Sequence, residues 1–311
     1  MRFMNHLLGR PRLLGLICAL GAVGLGFAYM AAAGAPPRYL VVNLGASILG
    51  AAVWLGLAPW ASSRLAYGGQ VVLALTLPLI ATALFGPAVD GASRWVNVGP
   101  LSVQVSLIVL PAIIVLYARS PDAIGTAGVA IAALALAAQP DRAMAGVLAA
   151  GMGAVVFTKR SRVAAFALAA AVTGFGVTML LPDALPAVPF VDRILYTAFD
   201  VHAVAGLAVV AGCLILVAPA LIGVFGRMQE RPVMVAFGAC WAAVVVAAAV
   251  GNYPTPLVGY GGSAVLGYLL SVALLPSSIR GDLKAKSGEA KPQVVRSSDT
   301  KSVERSILNP V

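Results

Sequence analysis

Charge is what this sequence has least of. Only 10% of its 311 residues are Asp, Glu, Lys or Arg, and it holds two histidines and three cysteines. Soluble domains carry about 25% charged residues. With 60% of its residues hydrophobic, this chain cannot clothe an aqueous surface, so a soluble globular domain is excluded. Cys18, Cys213 and Cys240 all lie inside apolar runs and form no metal-type spacing. That excludes a disulfide framework and leaves them as small core residues. His6 and His202 stand alone, no His/Cys/Glu cluster points to a transition metal, and no glycine-rich phosphate loop precedes a soluble helix. The net charge of +10 does not point to nucleic acid, because the basic residues sit in short loops and the tail, where membrane orientation requires them.

What the chain does have is apolar runs near twenty residues long, the length that crosses roughly 30 Å of hydrocarbon as a helix. In lipid every backbone polar group must be satisfied internally, so the spans are helices or a closed barrel. The absence of period-2 alternation selects helices. The fold class is therefore an all-α polytopic membrane protein. Ten spans are expected, at about Leu13–Ala33, Tyr39–Ala58, Gln70–Ala88, Leu101–Ala118, Ile124–Ala138, Ala143–Phe157, Val163–Leu181, Ala203–Phe225, Val233–Val250 and Gly262–Leu275. The fifth, sixth and tenth are short. The N-terminus resembles a signal peptide but lacks a convincing cleavage site, and reads as a retained first helix. Residues 1–276 form the membrane domain. Residues 277–311 read as a disordered basic tail that cannot bury a core, with a solvated tail weighed against one touching anionic membrane lipids.

Orientation follows from the basic residues. With the N-terminus inside, 17 of the 21 Lys and Arg fall on inside segments, three of them in "TKRSRV". Only Arg38, Arg94, Arg142 and Arg193 remain outside. The bias places both termini in the cytoplasm and the protein in a cytoplasmic membrane as a multi-pass chain. The longest outside loop, Pro182 to His202, starts with three prolines and continues as "FVDRILYTAFDVH", which fits a short helix lying on or re-entering the membrane. The last outside loop, "GNYPTPLVGYGG", is uncharged. Such backbone is tolerated at membrane depth only where protein buries it or water lines it, which suggests an outward cavity.

Chemistry on the outer face must come from Arg38, Asp90, Arg94, Asp141, Arg142, Asp183, Asp192, Arg193 and Asp200. An arginine can bind phosphate oxygens bidentately, and a carboxylate can act as a general base on a hydroxyl. Two readings stand side by side for Arg94 and Trp95: anchors at the membrane interface, or a cation and an indole at the mouth of a cavity.

Three stretches carry a family resemblance. "GASRWVNVGPLSVQ" resembles a loop motif of roughly G-A-x-R-W-I-x-(hydrophobic)-G-x-x-x-x-Q-P-S-E, matched at Gly91, Ala92, Arg94, Trp95, Gly99, Gln104 and Ser106. "QPD" at Gln139–Asp141 resembles the start of Q-P-D-L-G-T, and "PLVGYGGSA" at Pro256–Ala264 resembles P-x-x-S-Y-G-G-S-S. In this order and on the outer side of a ten-helix plan, they resemble the SEDS family (the FtsW/RodA/SpoVE group). The resemblance implies a peptidoglycan glycosyltransferase that polymerises lipid II, an undecaprenyl-pyrophosphate-linked disaccharide-peptide, into glycan strands during cell division or elongation. It implies a class B penicillin-binding transpeptidase as partner. It carries the essential Asp of the large outer loop to Asp200, with Asp192 as competitor. It assigns substrate binding to Arg94, Trp95, Gln104, Asp141, Tyr260, Gly261, Gly262 and Ser263. Arg94 is assigned to the leaving pyrophosphate. A divalent cation is the one cofactor considered there, although only scattered oxygen ligands are present. The chain departs from the pattern at Val105, Leu107 and Leu110, where the family's Pro, Glu and Lys are absent, and at Arg142, Ala143 and Met144 after "QPD". The family's acidic pair after the loop Asp is missing too. These losses keep two alternatives in view: a catalytically silent scaffold of a cell-wall synthesis complex, and a lipid II flippase.

The topology makes a direct prediction. With single cysteines at Ser93, Ala187 and Ser161, an impermeant thiol reagent on intact cells should label the first two sites and spare the third. Labelling of the Ser161 site alone would reverse the orientation.

Overall fold

The computed structural model describes residues 9–61, 68–183, 185–225 and 230–277. But for Ser277, the tail expected at 277–311 lies outside the described residues. Helices α1 (Pro11–Ala32), α2 (Pro37–Trp60), α3 (Gly68–Ala74) and α4 (Leu77–Phe85) lead into a hairpin of β1 (Trp95–Val98) and β2 (Leu101–Gln104). Helices α5 (Val105–Arg119), α6 (Ala123–Ala138), α7 (Arg142–Lys159) and α8 (Arg162–Leu180) follow. The chain then forms α9 (Ile194–Val201), α10 (Ala203–Ile215), α11 (Ala218–Phe225), α12 (Arg231–Val250) and α13 (Gly262–Ala273).

Six segments are long and apolar enough to cross a membrane: Pro11–Ala32, Pro37–Pro59, Gly68–Phe85, Arg142–Lys159, Arg162–Leu180 and Arg231–Val250. The pair α10 and α11, bent by 41°, makes a seventh if it is one span, and α5, α6 and α13 are shorter apolar helices. Each lies on one of the ten expected segments, and the protein is an all-α polytopic membrane protein.

Prolines explain the two breaks. Helix α3 stops before Pro78 and α10 before Pro219, because a proline removes an N–H and its ring clashes with the preceding turn. At the second break the freed carbonyl of Leu216 accepts the Tyr268 hydroxyl at 2.9 Å.

The fourth span starts later than expected. Leu101–Gln104 was expected to be helical but is a strand, paired antiparallel with Trp95–Val98 through Val98↔Leu101 and Trp95↔Gln104. The two-residue turn explains it. Gly99 sits at φ 58°, which glycine adopts without strain. Pro100 follows it and cannot donate to a helical hydrogen bond.

Helix α5 runs through the centre of the bundle, with Leu110 and Ile113 to Val115 fully buried. Lipid tails are as apolar as the helices, so packing rather than hydrophobic transfer holds helices together in a membrane, and small residues allow close approach. Gly267 of α13 is the extreme case: a Cβ there would lie 1.9 Å from the carbonyl oxygen of Leu107. Trp241 packs edge-on to Tyr268 at 4.9 Å and donates its indole N–H to Ser271 Oγ at 3.2 Å. At the end expected to be cytoplasmic, buried Arg12 donates to the carbonyls of Leu275 and Ala58, and Arg119 donates to Leu274 O at 2.6 Å. Arginines there satisfy carbonyls that the ends of α2 and α13 leave open. Cys18, Cys213 and Cys240 are buried free thiols.

Gly267→Ala should therefore lower stability by about 1–3 kcal/mol through overpacking. Gly153→Ala, whose added Cβ meets nothing within 4 Å, should leave stability unchanged or raise it. Thermal unfolding of both variants in detergent checks the contrast, and equal midpoints would mean that the bundle relaxes around α13.

Candidate functional site

The three motif stretches meet at the end of the bundle opposite Arg12. Asp141 is the hub. It is fully buried and caps α7, its Oδ1 accepting the Met144 N–H at 3.3 Å. Its Oδ2 accepts Ser106 Oγ–H at 2.7 Å and Gln104 Nε2–H at 3.1 Å. A carboxylate out of water needs donors on its lone pairs, and here they come from the start of α5. The backbone N–H of Gln104 donates to Ser263 Oγ at 3.0 Å, which ties in the first turn of α13.

Arg94 is 2% exposed. Its guanidinium donates to the carbonyl of Pro140, beside Asp141, through both Nε, at 3.1 Å, and Nη2. Nη2 also meets Asp183 Oδ1 at 2.7 Å. Tyr253 donates its hydroxyl to the other Asp183 oxygen, and the guanidinium lies 5.9 Å from the Tyr253 ring centre. Burial and the Asp183 carboxylate push the Tyr253 phenol above its usual range. Arg94 therefore differs from both sequence readings: it is neither an interface anchor nor an open cation but an internal clasp among four chain segments. Trp95 stands next to it in β1, partly buried, opposite Gln104.

The last outer loop is buried by protein. Thr255 to Gly259 are all buried. Thr255 N–H donates to Val191 O at 2.9 Å, and Tyr260 N–H to Phe190 O at 2.6 Å. Asn43, fully buried in α2, completes the arrangement: its Nδ2–H donates to Gly259 O at 2.8 Å and its Oδ1 accepts Gly261 N–H at 3.0 Å. Tyr260 stacks on Tyr39 with ring centres 3.9 Å apart. Gly262 opens α13 against Ala46. Asn43 was missed by the motif reading, although an amide in the middle of the apolar run Tyr39–Ala58 is itself a signal. Gln139 was not assigned a role either. It is fully buried and donates to Leu79 O at 2.7 Å, while its Oε1 has no partner among the described residues.

Asp200 stands apart from this network. It lies exposed on α9 and makes no side-chain hydrogen bond or ion pair among the described residues. Its competitor Asp192 is the buried one of the two. That residue is 8% exposed, accepts Val188 N–H at 2.8 Å and pairs with Pro254 across the two outer loops. Burial raises the Asp192 pKa. The helix expected in "FVDRILYTAFDVH" is present as α9, and His202 caps α10 by accepting Val204 N–H at 3.1 Å. Among the described residues no three His, Cys, Asp or Glu gather closely enough to hold one metal ion. The carboxylates of Asp141, Asp183 and Asp192 already have protein donors.

The fold and this end-cluster define a polytopic helical membrane protein whose loops on one face are locked by buried polar side chains. No family model and no curated protein matches the sequence. The chain is similar to a crystal structure of the Thermus thermophilus rod shape determining protein RodA, with TM-score 0.62, 20% identity, and coverage of 84% of this chain and 94% of that one. A variant of the same RodA with one aspartate replaced by alanine matches at TM-score 0.63 and 20% identity over the same shares. The fold is thus the RodA fold, in agreement with the resemblance read from the motifs.

Arg94 should behave as a clasp. Removing one partner of a buried ion pair costs about 3–5 kcal/mol, so Arg94→Met should unfold far more readily in detergent than the unmutated protein. Arg94→Lys should lose about 2 kcal/mol, since one ammonium cannot serve Pro140 and Asp183 with the planar fork. A thermal midpoint unchanged in both variants would show that the clasp does not bear on stability.

Proposed function

We propose that the chain is a divergent member of the SEDS family in a bacterial cytoplasmic membrane. In this reading it polymerises lipid II into glycan strands at the outer face, beside a class B penicillin-binding transpeptidase. The observation that carries the reading is that all three motif stretches share one hydrogen-bond network, Asp141 to Gln104 and Gln104 to Ser263, within a RodA-like fold that covers 84% of the chain. Motifs scattered by chance over a membrane protein have no reason to share one hydrogen-bond network.

Asp200 takes the role of general base. Asp141, Asp183 and Asp192 have internal donors, whereas the Asp90 and Asp200 carboxylates are exposed and uncommitted among the described residues, and of these two Asp200 stands in the large outer loop. It accepts the proton of the acceptor sugar hydroxyl. The oxygen then attacks the donor's anomeric carbon, and the bond to the pyrophosphate breaks with its electron pair leaving on the polyprenyl carrier. Gln104, Asp141, Tyr260, Gly261, Gly262 and Ser263 hold the outer loops in the shape that receives the substrate, with Trp95 at the headgroup level. Arg94 acts on the pyrophosphate only indirectly, by fixing Asp183 and Pro140.

A second reading has its own support. Asp200 lacks the dry surroundings that would tune a base, and the family's Glu and Lys positions are Leu107 and Leu110. Both features suit a member that scaffolds a cell-wall complex without catalysis.

Purified protein is incubated with fluorescent lipid II, with and without the transpeptidase partner, and the products are run on a gel. Glycan strands are expected, Asp200→Asn should abolish them at unchanged lipid II binding, and Asp192→Asn should have a mild effect. Strands lost with Asp192→Asn instead would move the base to that residue. Binding of the transpeptidase without any strands would establish the scaffold.

A further inference from the structure

Beside the clasp, a groove of about 660 Å³ opens between α7, α8 and α12. The volume falls within the range of roughly 300–1,000 Å³ typical of small-molecule sites. Its walls are apolar, with Gly146, Phe175, Met179, Val246 and Val250 among them. Met179, Val246 and Val250 are 52%, 58% and 79% exposed on membrane-spanning helices, so the groove opens sideways toward hydrocarbon. Its rim at the Asp141 end is polar and holds Arg142, Asp183, Asn252 and Tyr253.

The charges at that rim do not balance. Asp183 is matched by Arg94 at 2.7 Å. Arg142 has no carboxylate within ion-pair distance among the described residues. Its Nε donates to Thr178 O at 3.4 Å and its Nη2 to Leu181 O at 2.8 Å. A guanidinium has five N–H donors, so three remain for a ligand in the groove that Arg142 lines. Tyr253 donates its hydroxyl to Asp183, and Asn252 donates one of its two amide N–H groups to Leu185 O. The rim therefore offers one net positive charge with free donors, above an apolar channel that opens to the bilayer.

We infer that this groove binds an anionic phospholipid, with its phosphodiester on Arg142 and one acyl chain along the wall of α7, α8 and α12. A single uncompensated guanidinium matches a single phosphodiester charge, and Arg binds phosphate oxygens in paired fashion. The inference does not depend on whether the chain polymerises lipid II.

The test uses the full chain in nanodiscs of phosphatidylcholine doped with phosphatidylglycerol, with retained lipids read by native mass spectrometry. Retention of phosphatidylglycerol over phosphatidylcholine is expected at roughly tenfold, the size of one charge-assisted bond. Arg142→Gln should erase that preference, and Arg142→Lys should keep part of it. Ala247→Phe, which fills the groove and leaves the rim intact, should remove the retained lipid, with unchanged thermal midpoints confirming that the variants fold. Equal retention of both lipids, a preference that survives Arg142→Gln, retention unaffected by Ala247→Phe, or a stronger preference for undecaprenyl phosphate would each overturn the proposal. So would a protein adduct, rather than a lipid one, from a photo-crosslinker on Val250→Cys in cells.

Discussion

Backbone that leaves a helix near a membrane must find partners for each N–H and C=O, because no water reaches it. In this chain the demand is concentrated where the outer loops dip into the bundle, and a few fully buried polar side chains meet it. Asp141 collects donors from Ser106, Gln104 and the first turn of its own helix. Asn43 donates to Gly259 and accepts from Gly261 with one amide. Both ends of such a side chain are occupied, as the low dielectric requires, since a polar group left unpaired there costs far more than in water. The irregular stretch Gly251–Gly261 can exist at this depth because Asn43 completes part of its hydrogen bonding, while the Trp95–Gln104 hairpin pairs its own backbone.

The same principle organises the opposite end with a different chemistry. There the open groups are carbonyls at the ends of α2 and α13, and cations suit them. Arg12 and Arg119 supply the donors, and Arg119 also faces Glu230 at 3.4 Å. One end of the bundle is thus held by acids and amides that gather N–H groups, the other by arginines that gather C=O groups. Close helix contacts such as Gly267 against Leu107 fill the interior between them.

Much of this was legible in the sequence. Apolar runs located every helix that the structure places in the bundle, because the length needed to cross hydrocarbon leaves little freedom. The motif residues Gln104, Asp141 and Ser263 were singled out and do meet. The start of α5 was misplaced, since Leu101–Gln104 is as apolar as a helix turn and only the Gly99–Pro100 turn marks it as a strand. Arg94 was legible as a special residue but not as a clasp, because its partner Asp183 is 89 residues away and no local pattern links them. Asn43 carries its own signal, an amide in the middle of an apolar segment, and Gln139 stands at the end of one.

The distribution of commitments among the outer charges bears on what the chain can do. A charge held by internal donors on every side is a poor catalyst, because it must break those bonds to meet a substrate. Asp141 and Asp183 are held in this way, Asp192 accepts the Val188 N–H, and Arg94 donates to Pro140 O and Asp183. Other outer charges are not held so: Arg38, Asp90 and Arg193 lie exposed, as does Asp200 on α9, and Arg142 has N–H groups left beside a membrane-open groove. An exposed carboxylate such as Asp200 can take a proton, and a guanidinium with N–H groups to spare, as at Arg142, can hold a phosphodiester. Neither has to break a bond to a carboxylate or to a buried donor to meet its ligand, which separates them from Asp141 and Asp183.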